Sequence, residues 1–405
     1  MAIKYKQEII DELIRQGIDP EQVKHLHLKL QSGEINYQSF VISENSLEIP
    51  QDGDFNHYDN SFKNIGEEAI KKNELLIFWL NGGAATRYFD TSKISFEEKE
   101  RFQKELEQIK DLPKGVTPVY DGMTYLELKI KNLLKVTKNL DLKKHPQVLI
   151  MNSFLTDHET KEHLNDLFKK YPTLIPERFH FIVQRPRLPR FKKVKNISET
   201  DLFIDQKGHL SFAPAGHGDF LYLTKEYLKE EKIRGAKYMF FSNIDNFGSY
   251  IDPAILGFHI QSKKSRTVEV AKKNKGDKGG APCLVNKQMQ IVEQMKFPAS
   301  FNQDQLKYFN TNNFWFTLED LLAYEEELPL VVVDKNIHSN EVVQIEHFAC
   351  DVNLPSVFLV VDRSRRFWPI KRYIDLLIYL HPQKNNSQEQ AQAILFQELL
   401  QLHFL

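Results

Sequence analysis

The chain has 405 residues, which is enough for two or three domains. Hydrophobic residues make up 41% and charged residues 27%, a balance that excludes a disordered, collagenous or low-complexity protein. The formal net charge of −1 provides no bulk attraction to polyanions, so we expect no nucleic acid and no membrane as partners.

The amino terminus, MAIKYKQEIIDEL, lacks the apolar core of a signal peptide, and the longest apolar runs are too short to cross a bilayer. Cys283 and Cys350 are the chain's two cysteines, and they lie far apart without metal-ligand spacing. This usage argues against a disulfide scaffold and favours a reducing compartment. We therefore expect a soluble, cytoplasmic protein.

Three segments are predicted along the chain. Residues 1–70 form a helical N-terminal segment, in which Asp19-Pro20 supplies the cap and the first residue of a helix. Residues 71–382 form the main domain. Residues 383–405 form a short C-terminal helix with an apolar side.

The main domain predicts an α/β fold with a mixed central sheet flanked by helices. Short, nearly continuous apolar runs alternate with helical patterns, which is typical of strands buried on both faces. These runs are residues 75–80, 147–151, 179–183, 238–241, 330–333 and 357–361. Ligands of such folds bind at the carboxyl ends of strands, so the residues after each run are the candidate site.

A glycine pair follows the first run. In Leu80-Asn81-Gly82-Gly83 the glycines allow a sharp turn and a close approach of backbone N–H groups to phosphate, although a plain strand-to-helix turn also explains them. No Gly-Lys-Ser/Thr follows, so this is not a Walker loop. No third glycine completes a dinucleotide fingerprint either.

Single polar residues near other runs are ambiguous when taken alone. Lys114 is either a solvated loop cation or a point charge for a triphosphate. Gln184 either reads a base edge or satisfies a loop. His217 is flanked by glycines, beginning with Gly216, and this predicts a close backbone approach by another group.

Carboxylates and amides extend this set. Asp245 follows the run at residues 238–241, where one carboxylate suits Mg²⁺ and an Asx turn is the alternative. Groups suited to sugar hydroxyls are Glu269, Gly280, Asn312 and Asn313. Lys371 follows a basic stretch that is either a second cationic group of the site or a solvated face.

Together these groups describe a cleft for a phosphate, a metal and a sugar, which favours nucleotidyl transfer over hydride transfer or proteolysis. Over about residues 74–380 the chain resembles the UTP–glucose-1-phosphate uridylyltransferase family, the UDP-glucose pyrophosphorylases of eukaryotic type. The resemblance rests on collinear motifs at residues 80–83, 113–115, 151–157, 184–189, 216–219, 242–246, 269–280, 309–313 and 367–371.

The resemblance implies a Rossmann-like nucleotidyltransferase core and a role for each site residue. The implied catalytic residues are Lys114 and Lys371, which would meet the phosphates. The implied nucleotide contacts are Leu80, Asn81, Gly82, Gly83, Gln184, Gly216 and Asp245, of which Asp245 also holds the metal. The implied sugar and sugar-phosphate contacts are His217, Asn243, Glu269, Gly280, Asn312 and Asn313.

The implied reaction joins UTP and glucose-1-phosphate into UDP-glucose and pyrophosphate, with Mg²⁺ as cofactor. A sugar-phosphate oxygen attacks the α-phosphorus, so no protein nucleophile is needed. Two anions must be brought together, and positioning with charge neutralisation should supply most of the catalysis.

The chain departs from the family pattern in three places. Ala85 stands where the family loop usually has glycine, and its methyl group would obstruct backbone approach to phosphate. Residues 88–112 predict an inserted helix that Ser95 and Glu98 would cap. The chain ends soon after Lys371, too early for the family's left-handed β-helix, so we expect a monomer or a dimer through the final helix.

Two other functions stay open. One is a UDP-sugar or UDP-N-acetylhexosamine pyrophosphorylase, since the shape of the pocket cannot be read from sequence. The other is a catalytically silent nucleotide-binding homologue, which Ala85 and the insertion favour. The presence of Lys114, Asp245 and Lys371 favours an enzyme.

Overall fold

The computed structural model describes most of the chain. The described residues are 3–83, 88, 94–108, 112–185, 188–229, 233–274, 277, 279–337, 340–384 and 386–405. The prediction about Ala85 lies outside these residues, as does part of the predicted insertion at 88–112.

Helices occur at both ends of the chain and between most of the strands. They are α1 (Gln7–Arg15), α2 (Pro20–Gln31), α3 (Lys63–Lys71), α4 (Phe96–Arg101), α5 (Gln103–Gln108), α6 (Tyr125–Asn139), α7 (Asp157–Lys170), α8 (Phe220–Lys229), α9 (Pro253–Ser262), α10 (Leu318–Ala323), α11 (Arg363–Arg366), α12 (Tyr373–Leu380) and α13 (Ser387–His403). No helix of the described ranges has both the length and the apolarity that crossing a bilayer requires.

Strands begin before residue 50 and continue to residue 361. They are β1 (Leu47–Glu48), β2 (Asn56–His57), β3 (Leu75–Leu80), β4 (Pro118–Tyr120), β5 (Met123–Thr124), β6 (Gln147–Ser153), β7 (Phe179–Gln184), β8 (Leu188–Pro189), β9 (Phe191–Lys192), β10 (Phe212–Ala213), β11 (Tyr238–Asn243), β12 (Arg266–Lys272), β13 (Ala281–Val285), β14 (Gln288–Val292), β15 (Tyr308–Thr317), β16 (Val331–Ile337), β17 (Asn340–Glu346) and β18 (Ser356–Val361).

The main sheet has eight strands in the order β2-β18-β12-β15-β11-β3-β6-β7. Neighbouring strands are parallel except at β15, which is antiparallel to both β11 and β12. The predicted mixed α/β sheet is therefore confirmed. All its strands except β15 run in one direction, so their carboxyl ends meet at one edge, where ligands bind in such folds.

The centre of the sheet is buried on both faces, as the continuous apolar runs predicted. In β3, Ile77 and Trp79 pack on one face with α6, α9 and α12, while Leu76 and Phe78 pack on the other with α8 and α10. All four side chains are at most 2% exposed. Side chains alternate along a strand, so a strand with helices on both faces needs apolar residues at every position.

The N-terminal segment at residues 1–70 is tied closely to the main body. Helices α1 and α2 pack through an apolar cluster against the small sheet β16-β17-β9. Strand β2 adds to the edge of the main sheet, and α3 packs on α9. Gly66 and Gly257 make this helix crossing possible, because a Cβ atom on either would collide with backbone of the other segment.

The insertion and the C-terminal segment pack on the same face of the sheet. The predicted capping box of Ser95 and Glu98 is present, but the single helix predicted for residues 88–112 is wrong. Phe102 leaves the helical conformation and buries its ring, which separates α4 from α5. The C-terminal helix α13 buries Phe396, Leu399 and Leu400 in the core. The predicted apolar side is wrong except at Leu399, because Ile394, Leu395, Leu402 and Leu405 are exposed.

Candidate functional site

A cavity of about 440 Å³ lies at the carboxyl edge of the main sheet. The predicted residues that line it are Leu80, Asn81, Gly82, Gly83, Lys114, Gln184, Gly216, His217, Asn243 and Asp245. Strands β3, β7 and β11 supply several of these residues from their carboxyl ends. The chain thus brings together groups that are far apart in sequence, as the edge rule predicted.

The loop after β3 presents backbone to the cavity, because the side chain of Asn81 is turned into the protein. The Asn81 amide donates to Asn152 Oδ1 at 2.8 Å and to Thr160 Oγ1 at 2.9 Å, and Asn81 is 4% exposed. Gly82 packs so closely on Gln184 that a Cβ would lie 2.5 Å from its Oε1. Gly83 is exposed, and a Cβ there would meet no atom within 4 Å. The open backbone at Gly83 is where an anion can approach.

A lysine and an aspartate form an ion pair in the wall of the cavity. Lys114 Nζ donates to Asp245 Oδ2 and to the carbonyl oxygen of Ile370. The same ammonium lies 4.6 Å from the centre of the Tyr88 ring, within cation–π range. The Lys114 side chain is 14% exposed, so it is a fixed charge of the cavity wall rather than a solvated loop cation.

Gln184 connects two backbone segments of the site. Its amide nitrogen donates to the Gly216 carbonyl oxygen at 2.7 Å and to Asp219 Oδ2 at 3.2 Å, and the residue is 3% exposed. The side-chain oxygen of Gln184, Oε1, lies against Gly82. Gln184 therefore sets the spacing between the loop after β3 and the loop before α8.

The glycines around His217 admit the chain's own backbone. A Cβ on Gly216 would lie 2.5 Å from the His347 carbonyl oxygen, and one on Gly218 would lie 2.6 Å from His347 Cβ. Gly216 also has φ +86°, which favours glycine. The close approach predicted from these glycines is thus made by the end of β17.

His217 is held as a neutral donor. The Ala349 N–H donates to His217 Nδ1 at 3.0 Å, so in the neutral ring the proton is on Nε2. Burial lowers the pKa of His217 to about 4, although Glu346 raises it and Lys335 lowers it further. The ring at neutral pH therefore offers one N–H donor and no charge.

Two adjacent asparagines of β15 point in different directions. Asn312 has φ +58°, and its amide nitrogen donates to Asn243 Oδ1 at 2.9 Å, which places it next to the cavity. Asn313 instead donates to the buried Glu269 Oε2 at 3.2 Å. The pairing of β12 with β15 shifts register between Val268 and Val270, and such a bulge changes where neighbouring side chains point.

The surroundings of Glu269 do not favour its predicted sugar contact. Glu269 is 0% exposed, and its carboxylate is paired with the guanidinium of Arg366 at 2.7 and 2.9 Å. Trp315 Nε1 donates to the same carboxylate at 2.8 Å, and Asn313 supplies a fourth hydrogen bond. Both oxygens are occupied, so Glu269 belongs to the frame beneath the site.

Two further predicted residues lie away from the cavity. Gly280 packs under Glu293 and Ile291, where a Cβ would be 2.7 Å from Glu293 Oε1. Lys371 lines a separate cavity that Lys272 and Arg363 share. Its neighbour Ile370 accepts a hydrogen bond from Lys114 through its carbonyl oxygen, so the C-terminal segment meets the site at this backbone group.

Buried cations hold the loop that carries Asp245. Lys129 of α6 donates to the carbonyl oxygens of Asn246 at 2.8 Å and Ser249 at 2.6 Å. Burial lowers the pKa of Lys129 to about 7, Arg366 lowers it further and Asp245 raises it. Arg366 also donates to the Tyr250 carbonyl oxygen at 2.7 Å. These buried hydrogen bonds fix the loop that follows β11 and thereby the positions of Asn243 and Asp245.

One wall of the cavity was not predicted. Arg190, Lys335, Gln344 and Glu346 line it from the β16–β17 side. The signal available in the sequence was the alternation Gln344, Ile345, Glu346, which places two polar side chains on one face of an otherwise apolar strand. Burial lowers the pKa of Arg190 to about 10, and Glu346 opposes this.

The predicted Mg²⁺ site rests on Asp245. No cluster of three or more His, Cys, Asp or Glu side chains that could hold a metal occurs in the part of the chain that the structure describes. A magnesium ion bound to phosphates needs only one or two protein carboxylates, because phosphates and water supply the other oxygens. One carboxylate beside a phosphate-accessible backbone fits that requirement.

Comparison with known proteins agrees with this architecture. Saccharomyces cerevisiae UTP–glucose-1-phosphate uridylyltransferase is 30% identical over 288 residues, which are 66% of this chain and 55% of that protein. UTP–glucose-1-phosphate uridylyltransferase 2 of Dictyostelium discoideum is 30% identical over 289 residues, covering 66% of this chain and 54% of that protein. The chain spans about half the length of these curated relatives.

Solved structures share the fold. A Trypanosoma brucei UDP-glucose phosphorylase superposes with a TM-score of 0.69 at 22% identity, covering 95% of this chain and 80% of that one. A UDP-N-acetylglucosamine pyrophosphorylase from the same organism gives 0.69 at 16% identity, covering 97% and 79%. The family model described as UTP–glucose-1-phosphate uridylyltransferase matches residues 109–397, and the chain therefore belongs to that family.

Proposed function

We propose that this protein is a uridylyltransferase that makes UDP-glucose and pyrophosphate from UTP and glucose-1-phosphate. The observation that carries the proposal is the pairing of Lys114 with Asp245 beside the open backbone of Gly83. A nucleotide–metal complex requires a cation for the phosphates, a carboxylate that can coordinate the metal and backbone N–H groups that an anion can reach. Family membership supplies the substrate class.

The proposed reaction is a displacement at the α-phosphorus. An oxygen of the sugar phosphate forms the new P–O bond, and the bond to the β-phosphate breaks to release pyrophosphate. Lys114 would exchange its contact with Asp245 for a phosphate oxygen and neutralise the charge that develops there. The Gly83 backbone would hold the triphosphate, and Asp245 would hold Mg²⁺, which neutralises phosphate charge when bound.

The neighbouring residues would orient the substrates. His217, as a neutral N–H donor, would contact the sugar phosphate without altering its charge. Asn243 and Asn312, joined by a hydrogen bond, would face the hexose. Gln184 and Gly216 would border the uracil, with Gln184 fixing the width of that slot. Binding energy at these positions would hold the reacting groups in line.

The proposal is tested by pyrophosphate release from purified protein with UTP, Mg²⁺ and a panel of sugar-1-phosphates. We expect release with glucose-1-phosphate and little with N-acetylglucosamine-1-phosphate or galactose-1-phosphate. Lys114→Met should lower kcat by at least about a hundredfold, as loss of one charge-stabilising donor does in other enzymes. The matched control is Lys24→Met, which removes a half-buried lysine that is paired with the exposed Glu21.

Each contrary result identifies a different error. Release with every sugar tested would indicate a general UDP-sugar pyrophosphorylase. UTP binding without release from any sugar would indicate a silent homologue. Unchanged turnover in Lys114→Met would remove this lysine from the chemistry.

A further inference from the structure

The unpredicted wall of the cavity carries an oriented carboxylate. Arg190 Nε donates to Gln344 Oε1 at 2.8 Å, and Gln344 Nε2 donates to Glu346 Oε1 at 3.0 Å. Lys335 Nζ lies 2.9 Å from the same Glu346 oxygen. We refer to these four residues as the Glu346 relay. Each member fixes the next, so the carboxylate has one defined orientation.

The relay leaves half of the carboxylate available. Among the described residues, donors reach Glu346 Oε1 and none reaches Oε2. Glu346 is 8% exposed and lines the same cavity as Lys114 and Gly216. Glu346 thus has one carboxylate oxygen without a protein donor among the described residues, in a side chain that lines the cavity, so a ligand hydroxyl or a water can donate to it.

The charge of the group restricts what it can bind. A carboxylate would repel phosphate oxygens. Lys335 already supplies a cation at Oε1, so a second cation is not needed there. The remaining donors on the proposed substrates are hydroxyl groups of a sugar ring and the uracil N–H. A carboxylate oxygen is well suited to paired hydroxyls, as in the acidic residue that holds ribose hydroxyls in dinucleotide sites.

We propose that Glu346 accepts hydrogen bonds from adjacent hydroxyl groups of a substrate sugar ring and that the relay of Arg190, Gln344 and Lys335 holds it for this role. The ring is the ribose of the nucleotide or the hexose, which share this chemistry. The inference rests on the proposed function, because it assumes that a sugar nucleotide occupies the cavity. Glu346 is thereby a specificity-determining residue on a strand outside the main sheet.

The first test deletes the hydroxyl from the ligand, so it needs no variant. Calorimetry would compare UTP with 2′-deoxy-UTP and 3′-deoxy-UTP for the ribose, and UDP-glucose with UDP-2-deoxyglucose and UDP-3-deoxyglucose for the hexose. Loss of a charge-assisted hydrogen bond should weaken binding by about ten- to a hundredfold in one of the two series. The affected series identifies the ring.

The second test neutralises the carboxylate without changing its shape. Glu346→Gln should remove most of the preference for the complete sugar in the affected series and leave the other series unchanged. The control is Glu341→Gln on the same strand, which removes an exposed carboxylate near Lys193 and should leave both preferences intact. Tm measured for each variant separates misfolding from lost recognition.

The outcomes separate the inference from the function it rests on. Wild-type protein that binds neither UTP nor UDP-glucose would overturn both. Wild-type protein that binds them but tolerates every deoxy analogue within threefold would overturn the Glu346 inference alone. So would a Glu346→Gln variant that folds and keeps the wild-type discrimination, because a purely structural carboxylate would leave that ratio unchanged.

Discussion

Glu269→Gln distinguishes a structural carboxylate from a sugar ligand. In the structure Glu269 is fully buried and bonded through both oxygens to Arg366. Substitution by glutamine keeps the shape but leaves the guanidinium of Arg366 without its counter-charge. Burial alone would lower the pKa of Arg366, and Glu269 outweighs burial and raises it, so the substitution removes the group that stabilises this buried cation. Arginine does not lose its proton in proteins, so the charge stays buried without a counter-charge.

The expected cost follows from the burial of both charges. Removing one partner of a buried ion pair typically destabilises a protein by about 3–5 kcal/mol. At about 2 °C per kcal/mol, a value suited to large domains, Tm should fall by about 6–10 °C. The double variant Glu269→Met/Arg366→Met should recover part of this loss, because it removes both buried charges but leaves the Trp315 and Asn313 donors without their acceptor.

The assay is thermal unfolding followed by steady-state kinetics well below the lowered Tm. The control Glu21→Gln removes a pair whose carboxylate side chain is 75% exposed, and it should change stability by less than about 1 kcal/mol. The reasoning is refuted if Glu269→Gln keeps the wild-type Tm while KM for glucose-1-phosphate rises tenfold or more. That combination would return Glu269 to the sugar site.

Three further predictions follow from the site. Gly83→Ala should lower UTP affinity about tenfold with Tm within about 1 °C of wild type, whereas Gly53→Ala, equally unobstructed, should change neither; unchanged affinity would move the phosphate elsewhere. Lys129 has a pKa of about 7 when folded and about 10.5 when unfolded, so the unfolded chain binds more protons between these values. Wild-type stability in urea should therefore rise relative to Lys129→Met from pH 7 to pH 10, and a flat difference would contradict this. Asp245→Asn should tighten UTP binding without Mg²⁺ and weaken it with Mg²⁺, and a change of one sign in both titrations would exclude Asp245 as the metal ligand.

The architecture was largely readable from hydrophobic pattern alone. The runs at residues 75–80 and 238–241 became the adjacent parallel strands β3 and β11, because only a strand covered on both faces is apolar at consecutive positions. The cavity-lining residues at strand ends followed from that arrangement. The break at Phe102 did not, because it depends on where a long-range partner leaves space for the ring.

The sequence could not separate residues that face the cavity from residues beneath it. Asn243 ends β11 and Glu269 lies in the middle of β12, and both are polar residues in otherwise apolar strands. The bulge beside Val270 and the positive φ of Asn312 decide which side chains turn outward. Both depend on pairing between β12 and β15, which are distant in sequence, so a single chain read by local pattern gives no sign of them.

The pairing of Lys114 with Asp245 would explain how a chain of net charge −1 binds the proposed polyanionic substrate. Before a ligand binds, the ammonium of Lys114 and the carboxylate of Asp245 neutralise each other, so the cavity holds no unpaired charge from these two residues. A nucleotide alone would have to displace Asp245 from Lys114 and leave a carboxylate facing phosphate. A metal alone would leave an ammonium facing a divalent cation. Only their joint arrival gives each charge a new partner, which makes the proposed Mg²⁺ and UTP sites energetically coupled and reciprocal.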